Sequence, residues 1–141
     1  LRVIEAQVPN WVVAYRGDQL RGELAAHMGR LGDAAAAFLR AEVLASTHEG
    51  PGSLAAAIAR SDQASVLLRA GKVNEADQLF RQALAMAAPD GQWRNMVWAR
   101  IAGGAAAAAE RAGDIPRATR LLRDADGLKP PVESRAMVRW V

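Results

Sequence analysis

The chain has 141 residues and a mass of 15.0 kDa, the size of one domain, with 18 Lys+Arg against 15 Asp+Glu for a formal charge of +3. It contains no Cys, which excludes a disulfide-stapled scaffold, a thiolate zinc module and a cysteine nucleophile. Its 51% apolar share is mostly alanine, 32 residues against 2 Phe and 1 Tyr, which points to an all-α fold of closely approaching helices and away from Val/Ile-rich strands.

In chain order, residues 1–17 form an N-terminal segment in which Asn10 is expected to cap a short helix over Trp11 to Arg16. A first helical hairpin is expected over 18–46, with a helix from Asp18 to Arg30, a tight turn at Gly32-Asp33 and a second helix from Ala34 to Ser46. Thr47-His48-Glu49-Gly50-Pro51-Gly52 is the clearest loop, and Ser53 is placed to cap the next helix. A second hairpin covers 53–88, with helices from Leu54 to Ala70 and from Val73 to Ala88. Pro89-Asp90-Gly91 breaks the chain before a third hairpin over 92–127, built from Trp93 to Ala112 and Ile115 to Asp126. Pro130-Pro131 ends that helix and leaves 131–141 as a C-terminal capping helix or the start of a next repeat.

The three tight turns, Arg30-Leu31-Gly32-Asp33, Arg69-Ala70-Gly71-Lys72 and Arg111-Ala112-Gly113-Asp114, can be laid on one another, with the glycines 39 and 42 residues apart. Seven residues before each glycine stand Ala25, Ala64 and Ala106, and four before stand Met28, Leu67 and Ala109. Five after come Ala37, Ala76 and Ala118; nine after come Ala41, Phe80 and Leu122; twelve after come Leu44, Ala83 and Ala125. Small residues at fixed points let the two helices of a hairpin touch, and larger ones fill the space against the next hairpin. One hairpin cannot bury its own apolar stripe, so stacking is required.

This pattern resembles the tetratricopeptide repeat, in a long-period variant of about 40 residues rather than the common 34. The match is closest from Ala64 to Pro89, nearly as good from Ala106 to Pro130, and weakest from Ala25 to Leu44, where Ala41 replaces a bulky residue. The large aromatic that the family carries early in its first helix is missing, with Arg21, Arg60 and Ala102 in its place. The resemblance implies antiparallel hairpins stacked as a right-handed solenoid, whose first helices line a concave groove. Its groove positions fall on Gln19, Gly22, Ala26, Gly29 and Arg30, then Ile58, Ser61, Ser65, Leu68 and Arg69, then Arg100, Gly103, Ala107, Glu110 and Arg111.

From these, Arg30, Ser61, Ser65, Leu68, Arg69, Arg100 and Arg111 are the groove candidates. Arg30, Arg69 and Arg111 recur at one register and would form a ladder for carboxylates, although arginine near a helix C-terminus is also ordinary dipole-complementing decoration. The asparagine and lysine of the family's carboxylate-clamp subclass are absent, so that role is not implied. Trp93 and Trp98 lie five apart in one helix and need not share a face; one is expected to pack on the preceding hairpin. Trp11 and Trp140 are candidate end caps or contact sites.

His27 and His48 stand in different segments without metal-ligand spacing, and no phosphate-binding loop, dinucleotide fingerprint or zinc-protease motif occurs. Asp62 and Asp77 read as surface or capping acids. The sequence therefore supports no enzyme, cofactor or metal site. Arginine supplies 16 of the 18 basic residues, scattered among acids, and the longest basic spacing (Arg117, Arg120, Arg123) is one helix face, which disfavours nucleic acid as a partner. No apolar run is long enough to span a membrane. The chain does not start with Met, so it reads as a processed product or a fragment from which an export signal could have been lost.

The expected function is a non-catalytic protein-interaction scaffold that holds a partner polypeptide, acidic if the arginine ladder operates, or another domain of the same polypeptide. The alternatives are a regulatory or sensor segment of a larger bacterial ATPase or transcription regulator, and a secretion or assembly chaperone. High Ala and Arg with only two lysines suggests a bacterial gene of high GC content, and a cytoplasmic location is expected.

Overall fold

A computed structural model describes residues 7–128; residues 1–6 and the C-terminal segment with its expected helix over 131–141 and Trp140 lie outside the described residues. Six α-helices are present among the described residues: α1 (Asn10–His27), α2 (Leu31–Glu49), α3 (Leu54–Arg69), α4 (Val73–Met86), α5 (Gln92–Arg111) and α6 (Ile115–Gly127). Each helix packs on the next, and α3 also touches α5, whereas the even-numbered helices make no contact of that extent with one another. The chain is thus all-α, a row of three helical hairpins with the odd-numbered helices drawn together on one face.

The three hairpin turns are copies of one another. Gly29, Gly71 and Gly113 adopt φ of +77°, +82° and +85°, the left-handed region that costs glycine nothing. The residue after each glycine donates its N–H to the carbonyl five residues earlier, Arg30 to Ala25, Lys72 to Leu67 and Asp114 to Ala109, at 2.8, 2.9 and 2.8 Å. Each glycine N–H reaches the carbonyl three back, at Ala26, Leu68 and Glu110. This paired pattern satisfies the last carbonyls of α1, α3 and α5.

The structure corrects the first turn. Gly32 lies inside α2 without positive φ, and Gly29 makes the reversal. Gly29, Gly71 and Gly113 are spaced evenly, 42 residues each, where Gly32 would leave intervals of 39 and 42. Moving the reference by three residues aligns Gly22 with Ala64 and Ala106, Ala34 with Ala76 and Ala118, Phe38 with Phe80 and Leu122, and Ala41 with Ala83 and Ala125. Ala25, Gly32 and Ala37 lose the repeat positions that the sequence pattern suggested, and Phe38 supplies the bulky residue that Ala41 lacked.

A pair of substitutions tests this directly. Gly29→Ala forces an L residue into the left-handed region and is expected to lower stability by about 1–2 kcal/mol. Gly32→Ala meets open space within a helix and is expected to raise stability by about 0.5–1 kcal/mol. Urea unfolding of both variants should give midpoints displaced in opposite directions.

α1 also differs from expectation, running unbroken from Asn10 through Gly17 where a separate short helix over Trp11 to Arg16 was expected. Asn10 is a helical residue; the carbonyl of Pro9 accepts from Val12 at 3.0 Å. Gly17 does not interrupt the helix because Tyr15, Asp18, Gln19 and Gly22 beside it are buried, so packing outweighs a propensity deficit of about 1 kcal/mol. Ser53 does cap α3, its hydroxyl accepting from the Ala56 N–H at 3.2 Å.

Alanines fill most of the seams, and two phenylalanines fill what they leave. The Phe38 ring occupies the space above Gly22, where an added Cβ would lie 2.6 Å from Cε1, and the Phe80 ring sits on Gly104 at the same distance. Polar ties cross the seams as well. Tyr15 donates to the Ala55 carbonyl at 2.8 Å and accepts from Gln19, and burial together with the Asp62 charge pushes its phenol up to about 12. Arg60 grips both oxygens of Glu42 at 2.9 and 3.0 Å, and Gln63 donates to the same carboxylate. Asp77 accepts from Arg81 and from Arg117 of α6; burial opposes its ionisation, but these two hydrogen bonds hold its carboxyl below the usual range.

Candidate functional site

The odd-helix face carries a cavity of about 160 Å³ between α1 and α3, lined by Glu23, Ala26, His27, Phe38, Asp62, Ser65, Val66 and Arg69. Phe38 and Val66 are buried and make an apolar floor. His27, Ser65 and Arg69 are exposed and stand around the mouth. Ordinary small-molecule pockets occupy roughly 300–1,000 Å³, so this volume suits one side chain of a larger partner better than a whole metabolite.

Asp62 is the unusual group. It stands on α3 half-buried beside that floor, with Arg100 of α5 the nearest cation at 3.9 Å. Burial pushes its carboxyl up to about 6; Arg100 opposes the shift and the charge of Glu23 adds to it. A carboxylate that accepts no close hydrogen bond yet loses hydration is costly to keep ionised, and a cationic or hydrogen-bond-donating group placed in the cavity would relieve that cost.

The structure distributes the expected groove residues unequally. Ser65 and Arg69 line the cavity, and Arg100 reaches it through Asp62. Arg111 donates to the Leu68 carbonyl at 2.9 Å and so ties the end of α5 to the end of α3. Ser61 is buried with its hydroxyl on the Ile58 carbonyl, and Leu68 is buried in the main core. Neither presents a side chain to the face. Arg30 immediately precedes α2, at the position of Lys72 and Asp114, so it shares no register with Arg69 and Arg111. His27 does. The ladder of three arginines is therefore replaced by His27, Arg69 and Arg111.

Sequence reasoning missed Glu23, His27 and Asp62 as site residues. The first two carried a usable signal: counted from Gly29, the groove offsets of six, three and two residues fall on Glu23, Ala26 and His27, the residues α1 gives to the cavity. Asp62 had no such signal, because its burial depends on α1 lying beside it.

The tryptophans separate by role. Trp11 is half-buried and stacks on His48 with ring centroids 5.1 Å apart and planes 1° from parallel. Trp98 packs against the main core, and Trp93 is exposed. A second hollow, about 440 Å³ and more open, lies between α1 and α2 along Asp18, Leu39, Arg40, Val43 and Leu44. Among the described residues no group of three His, Asp or Glu side chains is arranged to hold a metal ion, and no helix is long and apolar enough to cross a membrane. No protein-family model matches the chain, and a search of curated proteins returns no match.

Proposed function

We propose that this chain is a non-catalytic scaffold of the tetratricopeptide type, holding a partner polypeptide along the face of α1, α3 and α5. One observation carries the reading: five of the eight cavity residues, Glu23, Ala26, His27, Ser65 and Arg69, stand at the groove offsets counted from the turn glycines Gly29 and Gly71. The evenly spaced Ala34, Ala76 and Ala118 and the series Phe38, Phe80 and Leu122 support the same family reading.

The partner is a segment of mixed charge. Its carboxylates meet His27 and Arg69 at the mouth, and a basic or amide-bearing side chain enters toward Asp62 and Glu23. This modifies the purely acidic partner that an arginine ladder implied.

The test is selection of short random peptides against the immobilised chain, followed by titration. Ser65→Trp fills the cavity from an exposed position and is expected to weaken the selected peptides by about tenfold or more, with the circular dichroism spectrum unchanged. Peptides that bind Ser65→Trp as tightly as the parent chain would place recognition elsewhere and end the groove reading.

A further inference from the structure

The seam that joins one hairpin to the next occurs twice within this chain, and the two ends of the row expose its two halves. On α1, Val13, Leu20, Leu24 and Met28 form one apolar stripe on the side opposite the buried residues. Val13 and Leu24 are each 62% exposed. Forty-two and eighty-four residues on, the Leu24 position is held by Val66 and Ala108, both buried beneath the preceding hairpin, and Val13 corresponds to the buried Val97. On α6, Leu122 is 54% exposed, whereas its equivalents Phe38 and Phe80 are 4% and 1% exposed. Ile115 is likewise exposed where Leu31 and Val73 are half-buried.

We infer that these two faces are halves of one interface and that the α6 face of one molecule docks on the α1 face of a second copy, extending the row head to tail. The geometry of the internal seam supplies the template. Phe80 lies on Gly104 across the α4–α5 seam, a large residue on a minimal one. Carried one repeat further, that pair becomes Leu122 on Leu20 of the second copy, two mid-sized residues, both exposed in the single chain. The summed volume is nearly conserved, which is the kind of exchange a packed seam tolerates.

The polar tie carries over too. Gln63 donates to Glu42 across the α2–α3 seam, and the corresponding residues are Arg21 and Asp126, which are opposite in charge. Asp18, at the position of Arg60, already holds Arg21 and Arg40 at 3.3 and 3.2 Å and so presents this corner as a net positive group. Such a contact is heterologous: it uses different patches on the two molecules, leaves one of each free, and does not stop at a dimer. It is independent of the groove, which lies on another face.

Sedimentation velocity on the full chain, from about 1 to 500 µM, tests the inference. The expected result is a sedimentation coefficient that climbs with concentration past the dimer value. Leu24→Glu closes the α1 face and Leu122→Arg closes the α6 face; each variant alone should stay monomeric with unchanged helicity. Mixed one to one, they retain one open face of each kind and should form a dimer and nothing larger. If either variant loses helicity, Val13→Asp and Ile115→Lys close the same faces. A parent chain that stays monomeric throughout the range overturns the inference, as does a mixture without dimer. A monomeric parent whose α1 face becomes protected only when a further hairpin is fused ahead of it would assign the face to an intramolecular neighbour instead.

Discussion

Phe80→Ala is expected to lower folding stability by about 3–5 kcal/mol, the largest loss of any single truncation in this core. Its ring is 1% exposed, belongs to the largest apolar cluster, and spans the seam between the second and third hairpins. The alanines around it, Ala57, Ala76, Ala83 and Ala105, have no reach with which to close the void. Gly104 makes the expectation sharper. In the parent chain Gly104→Ala drives a Cβ to 2.6 Å from the ring, which is enclosed and cannot swing away, at an expected cost of about 1–3 kcal/mol. In the Phe80→Ala background the same change meets no ring and removes a helical glycine, so it should stabilise by about 0.5–1 kcal/mol. Chemical denaturation of the four proteins of this cycle measures both terms, and additive costs would show that the ring and the glycine do not form one joint.

Asp62→Asn is expected to stabilise the chain at neutral pH by on the order of 2–3 kcal/mol, since about 1.4 kcal/mol accompanies each tenfold displacement of a proton equilibrium. The folded carboxyl titrates near 6 and the unfolded one near 3.8. Between those values the folded chain binds more protons, so the parent loses stability as pH rises from about 4 to about 6 and stays at the lower level above it. Below about pH 4 the carboxyl is protonated in both states and the penalty is absent. The asparagine variant lacks this step. Thermal unfolding at pH 4.5 and 7.5 should therefore show a gap between parent and variant at the higher pH that narrows at the lower one. A site residue that costs stability in the free chain is one whose environment is arranged for something other than folding.

The breaks at Gly50-Pro51-Gly52 and Pro89-Asp90-Gly91 and the turns at Gly71 and Gly113 were legible from local chemistry alone. The first turn was not, because two glycines stand three residues apart and the Arg-Leu-Gly-Asp around Gly32 imitates the Arg-Ala-Gly-Asp around Gly113. Local composition cannot say which glycine carries positive φ. Equal spacing can: only Gly29 gives two intervals of 42 and brings Phe38 into line with Phe80. Gly17 misled for a related reason, since a helix interior anchored by Tyr15 and Asp18 tolerates a residue that an isolated helix would not. Of the site, Ser65 and Arg69 were legible in the repeat, and Glu23 and His27 were hidden only by the misplaced turn. The perturbed carboxyl of Asp62 is a tertiary property, created by neighbours on α1 and α5, and no window around residue 62 contains it.

The constant 42-residue interval has a consequence for heredity. An in-frame duplication or loss of 42 codons, wherever it falls within the array, joins each glycine turn to a helix of the same phase and returns every small residue to a small-residue position. Recombination between the repeated tracts can therefore lengthen or shorten the protein without inventing a new joint. Most insertions of other lengths turn α-helical faces away from their neighbours and would be purged. Selection acting on a gene of this kind sees length as a quantised trait, free to vary by whole hairpins and by little else.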